Sequence, residues 1–129
     1  MGSMVGYNYM VLAPDRVEEC MNASEVEIPF TYTSPREVYS GRKTATRRIQ
    51  RYPAEVGMRM RAVFPSYSIV DLHITAVYSQ KLGDMSEDDA KREGYQCLDT
   101  FKKAWAQTHP REGWDGERNV WVIEWKKPN

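Results

Sequence analysis

The sequence predicts an α+β domain, a small β-barrel with two or three peripheral helices, on three observations. Residues 58–64, 69–78 and 120–125 are strand-like, most of them alternating apolar and polar side chains with the period of two that a half-buried strand requires. Residues 34–41 and 85–94 carry helix start and stop signals, and strands outnumber helices. No strand–helix–strand alternation of the doubly wound kind is visible, which leaves the helices at the periphery.

Met1-Gly2-Ser3 ahead of Met4 reads as an expression scar, so residues 1–27 are expected to be that scar with an N-terminal extension, followed by one domain over 28–129. In the extension, Tyr7 to Leu12 reads as a short strand or arm, and Ala13 to Glu27 as irregular or weakly helical. Ile28 to Thr33 is rich in β-formers and is expected as a strand. Ser34 offers an N-cap, Pro35 presets the first helical position, and Gly41 stands where a left-handed C-cap would end a short helix. Alternation beyond it sends Thr44, Thr46 and Arg48 to one face of a strand and Ala45 and Arg47 to the other.

Tyr52 to Gly57 reads as a turn, and Met58 to Phe64 as a strand that directs Arg59 and Arg61 outward. Ile69 to Tyr78 follows, with Val70, Leu72, Ile74 and Ala76 on one face. Ser86 with Asp89 three residues on forms a capping box, Met85 is placed to staple onto Ala90, and Gly94 ends that helix. Leu98, Phe101 and Trp105 form the buried stripe of a further helix that stops before His109-Pro110. Val120 to Trp125 is the closing strand.

Eighteen Lys and Arg balance eighteen Asp and Glu, so overall charge excludes a protein that coats nucleic acid by bulk electrostatics. The charges are nevertheless segregated. Arg36, Arg42, Lys43, Arg47, Arg48, Arg51, Arg59 and Arg61 face only Glu37 and Glu55 in their window, while Asp84 to Asp99 is acidic. Such segments either make a basic surface or neutralise each other across the fold. Cys20 and Cys97 lack metal or redox spacing and read as reduced thiols of a cytoplasmic protein; a bridge between them has no support. No apolar run reaches membrane-spanning length, and neither His73 nor His109 has a ligand-like partner, so no metal or other cofactor is expected.

The nine residues Ser40 to Arg48 concentrate a lysine, two threonines and three arginines at an element boundary, the chemistry of an anion or nucleotide site. Nucleotide-binding candidates are Arg42, Thr44, Arg47, Arg48, Arg59 and Arg61. Of the aromatic residues Tyr52, Tyr67, Trp114 and Trp121, Trp114 in its glycine-flanked loop is the stacking candidate, whereas Trp105, Trp121 and Trp125 are assigned to packing.

Three blocks resemble the ASCH domain family of the PUA-like superfamily of small β-barrels. Val38 to Arg48 is similar to its helix followed by Gly-x-Lys-x-x-Thr-x-Arg, Met85 to Tyr95 to its Ser-Glu-x-x-Ala-x-x-Glu-Gly segment, and Val120 to Trp125 to its closing strand. The resemblance implies a cleft lined by residues 43–48 and Glu93, with a nucleoside or single-stranded RNA as partner. It also implies a chemistry, since small N4-acetylcytidine amidohydrolases of this family use a lysine, a threonine and a glutamate that Lys43, Thr46 and Glu93 match. Thr46 would be the nucleophile, Lys43 the proton acceptor and Glu93 the proton donor. A lysine base works through its neutral form, which neighbouring cations favour in general; the same cations oppose a protonated carboxyl nearby. Arg47 departs from the apolar residue usual at its position. Three readings therefore stand: a deacylating amidohydrolase, a non-catalytic RNA-binding module, and a ribonuclease using Lys43 and Glu93. A pocket closed around one base favours the first, and an open groove with an arginine track the second.

Overall fold

The structure, a computed structural model, describes residues 24–128 together with the backbone of two short strands, β1 (Ser3–Met4) and β2 (Asn8–Tyr9), which pair antiparallel. Asn8–Tyr9 falls within the expected arm, and most of the segment expected to be irregular lies outside the described residues. Glu25-Val26-Glu27-Ile28 alternates charged with apolar residues, and β3 runs Glu25–Pro29 with Val26 and Ile28 buried. This corrects the expected boundaries of Ile28 and Thr33. β3 is an edge strand laid parallel on β5 (Arg59–Val63); Phe30 donates a last bond to the Val63 carbonyl at 2.8 Å, and the chain then turns away towards a helix.

That helix, α1 (Pro35–Tyr39), starts at Ser34, whose hydroxyl accepts the Glu37 N–H, and ends before Gly41, whose φ of +84° suits a glycine. β4 (Ala45–Arg48) follows at once and pairs antiparallel with β7 (Asn119–Lys126), which pairs with the long β6 (Ile69–Lys81) and through it with β5. The strand order is β3-β5-β6-β7-β4.

The α+β class holds, but the sheet is not closed into a barrel. Its two edges, β3 and β4, share no ladder. β4 has only four residues and β3 leaves its edge at Phe30, so side chains rather than a ladder border the seam: the Phe30 ring lies 4.7 Å from the Arg48 guanidinium and edge-on to Trp125. A second correction concerns β6. A register shift between Ile74 and Ala76 inverts the alternation, so Val77 packs on the main core with Leu72 and Ile74, in the place expected for Ala76.

α2 (Glu87–Arg92) and α3 (Leu98–Thr108) close a smaller cluster of Leu82, Met85, Ala90, Phe101, Trp105 and Val120. The α2 capping box is complete: Ser86 Oγ accepts the Asp89 N–H and Asp89 Oδ2 accepts the Ser86 N–H, each at 3.0 Å. Ser86→Ala is expected to lower the unfolding free energy by about 1 kcal/mol, measured by urea titration. The main core lies on the other side, around Phe30, Met60, Ile74, Ile123 and Trp125. β7 contributes to both, with Ile123 and Trp125 in the main core and Val120 in the smaller cluster.

Candidate functional site

Four polar or charged side chains are buried among the described residues: Lys43, Thr46, Arg47 and Glu93, each no more than 6% exposed. Burying charge is costly without partners, and the fold supplies them. Gly94, at a φ of +94°, ends α2 and packs against Lys43, and Thr44 N–H donates to the Arg92 carbonyl at 2.7 Å. Those two contacts seat the end of α2 on the turn before β4. Lys43 Nζ donates to Glu93 Oε1 at 2.7 Å and to the Glu93 carbonyl at 3.2 Å. Arg47 Nη1 donates to the other oxygen, Oε2, at 3.0 Å. The rest of the Arg47 fork is held by Gln80 Oε1, at 3.0 and 2.9 Å, with Asp89 Oδ2 3.6 Å away. Burial alone would raise the Asp89 carboxyl, but bonds from Ser86 and the nearby Arg47 outweigh it and hold it below its ordinary value. Acidic and basic segments thus neutralise each other inside the fold.

The expected alternation along β4 is present. Arg47 faces Gln80 and Glu93, whereas Arg48 turns the other way and donates from Nε to Thr46 Oγ1 at 3.0 Å. The Arg48 guanidinium lies over Phe30 and, at 5.7 Å, over Tyr52. Burial lowers its pKa, against the raising effect of Tyr52 and Glu93. Among the described residues no carboxylate lies within ion-pair distance of Arg48, which hydrogen-bonds with the Tyr52 side chain and lines the adjacent space.

That space is a cavity of about 300 Å³ at the open seam of the sheet. Residues 29–33 form one wall; Thr46, Arg47, Arg48 and Glu93 form the polar end; Tyr95, Phe101, Ala104, Trp105, Thr108 and His109 form the helical wall, and Tyr52 lies beside Arg48. Lys43 touches Glu93 from outside this lining. The structure therefore gathers Lys43, Thr46, Arg47, Arg48 and Glu93 in one place.

Other sequence candidates stand elsewhere. Arg42 is exposed and pairs with Glu37 at 3.5 Å, and Thr44 contributes backbone bonds to Arg92 and Trp125. Arg59 pairs with Glu25, and Arg61 with Glu25, Glu27 and Asp71, and neither lines the cavity. Trp114, the expected stacking residue, instead packs edge-on against Phe101 beneath Lys102. Tyr67 is exposed at a hairpin tip, and Trp121 lies under Arg51. Sequence reasoning missed Phe30, Gln80, Tyr95 and His109, and gave Trp105 a packing role alone although it also walls the cavity. Gln80 lay beyond the expected end of β6, and nothing local marks the others.

Among the described residues, no group of three or more His, Cys, Asp or Glu gathers as a metal site, and no helix is long and apolar enough to cross a membrane. Cys97 is a free thiol at the start of α3.

No family model matches the sequence, and no curated protein does. Solved structures do match. An ASCH domain from Lactobacillus crispatus superposes with a TM-score of 0.68 at 16% identity, over 89% of this chain and 85% of that one. A DUF984 protein of Enterococcus faecalis gives 0.58 at 18% identity, over 72% and 65%, and a point variant of the ASCH protein of Zymomonas mobilis 0.58 at 14%, over 82% and 70%. With a five-stranded sheet and three α-helices among its described residues, and these superpositions, the chain has the ASCH-domain fold.

Proposed function

We propose that the chain binds a single unstacked nucleobase, free as a nucleoside or presented by single-stranded RNA, in the cavity between β3, β4 and α3. The observation that carries this reading is the Arg48 guanidinium: half-buried, lying against the rings of Phe30 and Tyr52, fixed by Thr46, and without a contact carboxylate among the described residues. A desolvated guanidinium in that state favours a carbonyl or phosphate oxygen as acceptor. The aromatic wall of Phe30, Tyr95, Phe101 and Trp105 suits the faces of a base, and about 300 Å³ suits one base rather than several. RNA binding is also what the PUA-like resemblance implies.

Arg48→Ala is expected to weaken binding roughly 10- to 100-fold, the range of a hydrogen bond to a charged group. Arg48→Lys should not restore it, because an ammonium does not reproduce the stacked fork. The check is titration of the intrinsic tryptophan fluorescence with cytidine, uridine, adenosine and short oligoribonucleotides. A wild-type protein that binds none of them saturably overturns the reading.

Deacylation of N4-acetylcytidine is the second reading, favoured by the meeting of Lys43 and Glu93 beside Thr46. In it Thr46 Oγ attacks the acyl carbon, its proton passes to Lys43 after that residue has given one to Glu93, Glu93 protonates the departing amine, and water hydrolyses the threonine ester. The geometry at rest weighs against it. Both Glu93 oxygens are occupied, and Arg47 must release one before that carboxyl delivers a proton from it. Acetate release from N4-acetylcytidine, abolished by Thr46→Ala with the fold intact, would establish hydrolysis over binding alone.

A further inference from the structure

We propose that His109 is a specificity residue of the cavity, an acceptor that selects bases carrying an exocyclic amine over bases carrying a carbonyl at that edge. The inference rests on the base-binding reading and adds the edge the site reads.

His109 caps α3, its N–H bonded to the Trp105 carbonyl at 2.9 Å, and its ring lies on the Trp105 indole with centroids 3.9 Å apart and planes 23° off parallel. The indole is itself fixed by its Nε1–H, which donates to the Gly113 carbonyl at 3.1 Å, while Gly113 N–H donates to the His109 carbonyl at 2.7 Å. The imidazole therefore has little freedom to turn.

Its hydrogen-bond partners favour one position for the ring proton. Nδ1 lies 3.2 Å from the Trp105 carbonyl and 3.0 Å from Thr108 Oγ1. A carbonyl only accepts. The Thr108 hydroxyl donates to that same carbonyl at 3.1 Å, which leaves its oxygen as an acceptor towards Nδ1. Both neighbours ask Nδ1 to donate, so the neutral ring holds its hydrogen there and Nε2 keeps the lone pair. No hydrogen bond or ion pair among the described residues reaches Nε2, although His109 lines the cavity.

The helix supports the same polarity. The C-terminal end of the eleven-residue α3 presents partial negative charge, which favours a ligand donor there. Arg48 favours a ligand acceptor, so the two residues ask for opposite groups on a ligand that spans them. Cytosine and adenine carry an exocyclic amine; uracil presents a carbonyl in the corresponding place, which would face the His109 lone pair.

The test compares dissociation constants of cytidine, uridine and N4,N4-dimethylcytidine, which lacks the donor, for wild type, His109→Phe and His109→Gln. Phenylalanine keeps a ring to lie on Trp105 and removes the acceptor; glutamine offers an acceptor near the Nε2 position. Wild type should prefer cytidine over both other ligands by roughly three- to tenfold, the range of one neutral hydrogen bond. That preference should vanish in His109→Phe, through weaker cytidine binding and relief of the carbonyl-to-lone-pair clash with uridine, and return in part in His109→Gln. Equal wild-type affinity for the three ligands, or a preference that survives in His109→Phe, overturns the role of His109 and leaves the base pocket standing. Failure of wild type to bind any nucleoside overturns both.

Discussion

Glu93→Ala is expected to lower the unfolding free energy by about 3–5 kcal/mol, the loss typical when one partner is removed from a buried ion pair. Without this carboxylate the Lys43 ammonium keeps only the residue 93 carbonyl, and Arg47 keeps Gln80 and the more distant Asp89. Two buried cations then face each other without the anion that bridged them. Denaturant titration measures the loss, and Glu93→Gln, which retains an acceptor at the same place, should lose less. A double replacement of Lys43 and Glu93 by methionine and leucine should recover much of the stability, because an apolar pair needs no desolvation of charge. An alanine variant within about 1 kcal/mol of wild type would show that water or side-chain motion relieves the cluster, and the description of a closed charge network would fail.

Trp105→Ala is expected to cost a similar amount, about 3–5 kcal/mol for an aromatic residue deleted from a core. The indole joins the smaller cluster, lies 6.0 Å from the Phe101 ring, stacks on His109 and anchors Gly113 through Nε1. It is also a wall of the cavity, so the variant should lose ligand binding even at temperatures where it remains folded. Trp105→Phe should retain most of the stability while releasing the Gly113 carbonyl. Thermal unfolding followed by circular dichroism, alongside a binding titration at low temperature, separates the two effects. Binding unimpaired in folded Trp105→Ala would remove the helical wall from the site.

Much of this was legible in the order of residues. Ser34, Ser86, Gly41 and Gly94 mark helix ends because their preferences are local and strong, and the structure has helix boundaries at each. The Lys43 to Arg48 run was legible as a candidate site because so many cations at an element boundary require anions or ligands. What was not legible depends on pairing at a distance. The register shift between Ile74 and Ala76 leaves no trace in composition, yet it reverses which side chains of β6 face inward. Closure of the sheet depends on whether two edge strands meet, which their own sequences do not state. Arg59 and Arg61 look like members of the basic cluster by position, but parallel pairing with β3 sets Glu25 and Glu27 beside them. His109 is a single residue at a helix end, and the role proposed for it depends on its contacts with Thr108 and Trp105, which its own sequence position does not state.

The unladdered seam between β3 and β4 also bears on how fast the site exchanges its occupant. A guest entering there crosses a boundary held by side chains such as Phe30 over Arg48, so admission requires rotamer changes and breaks no amide-to-carbonyl bond of the sheet. Exposed side chains change rotamer in picoseconds to nanoseconds and packed elements move collectively in microseconds to milliseconds; Phe30 is buried and does not belong to the first group. On the base-binding reading, admission is therefore gated by repacking around Phe30, while the strand ladders stay intact.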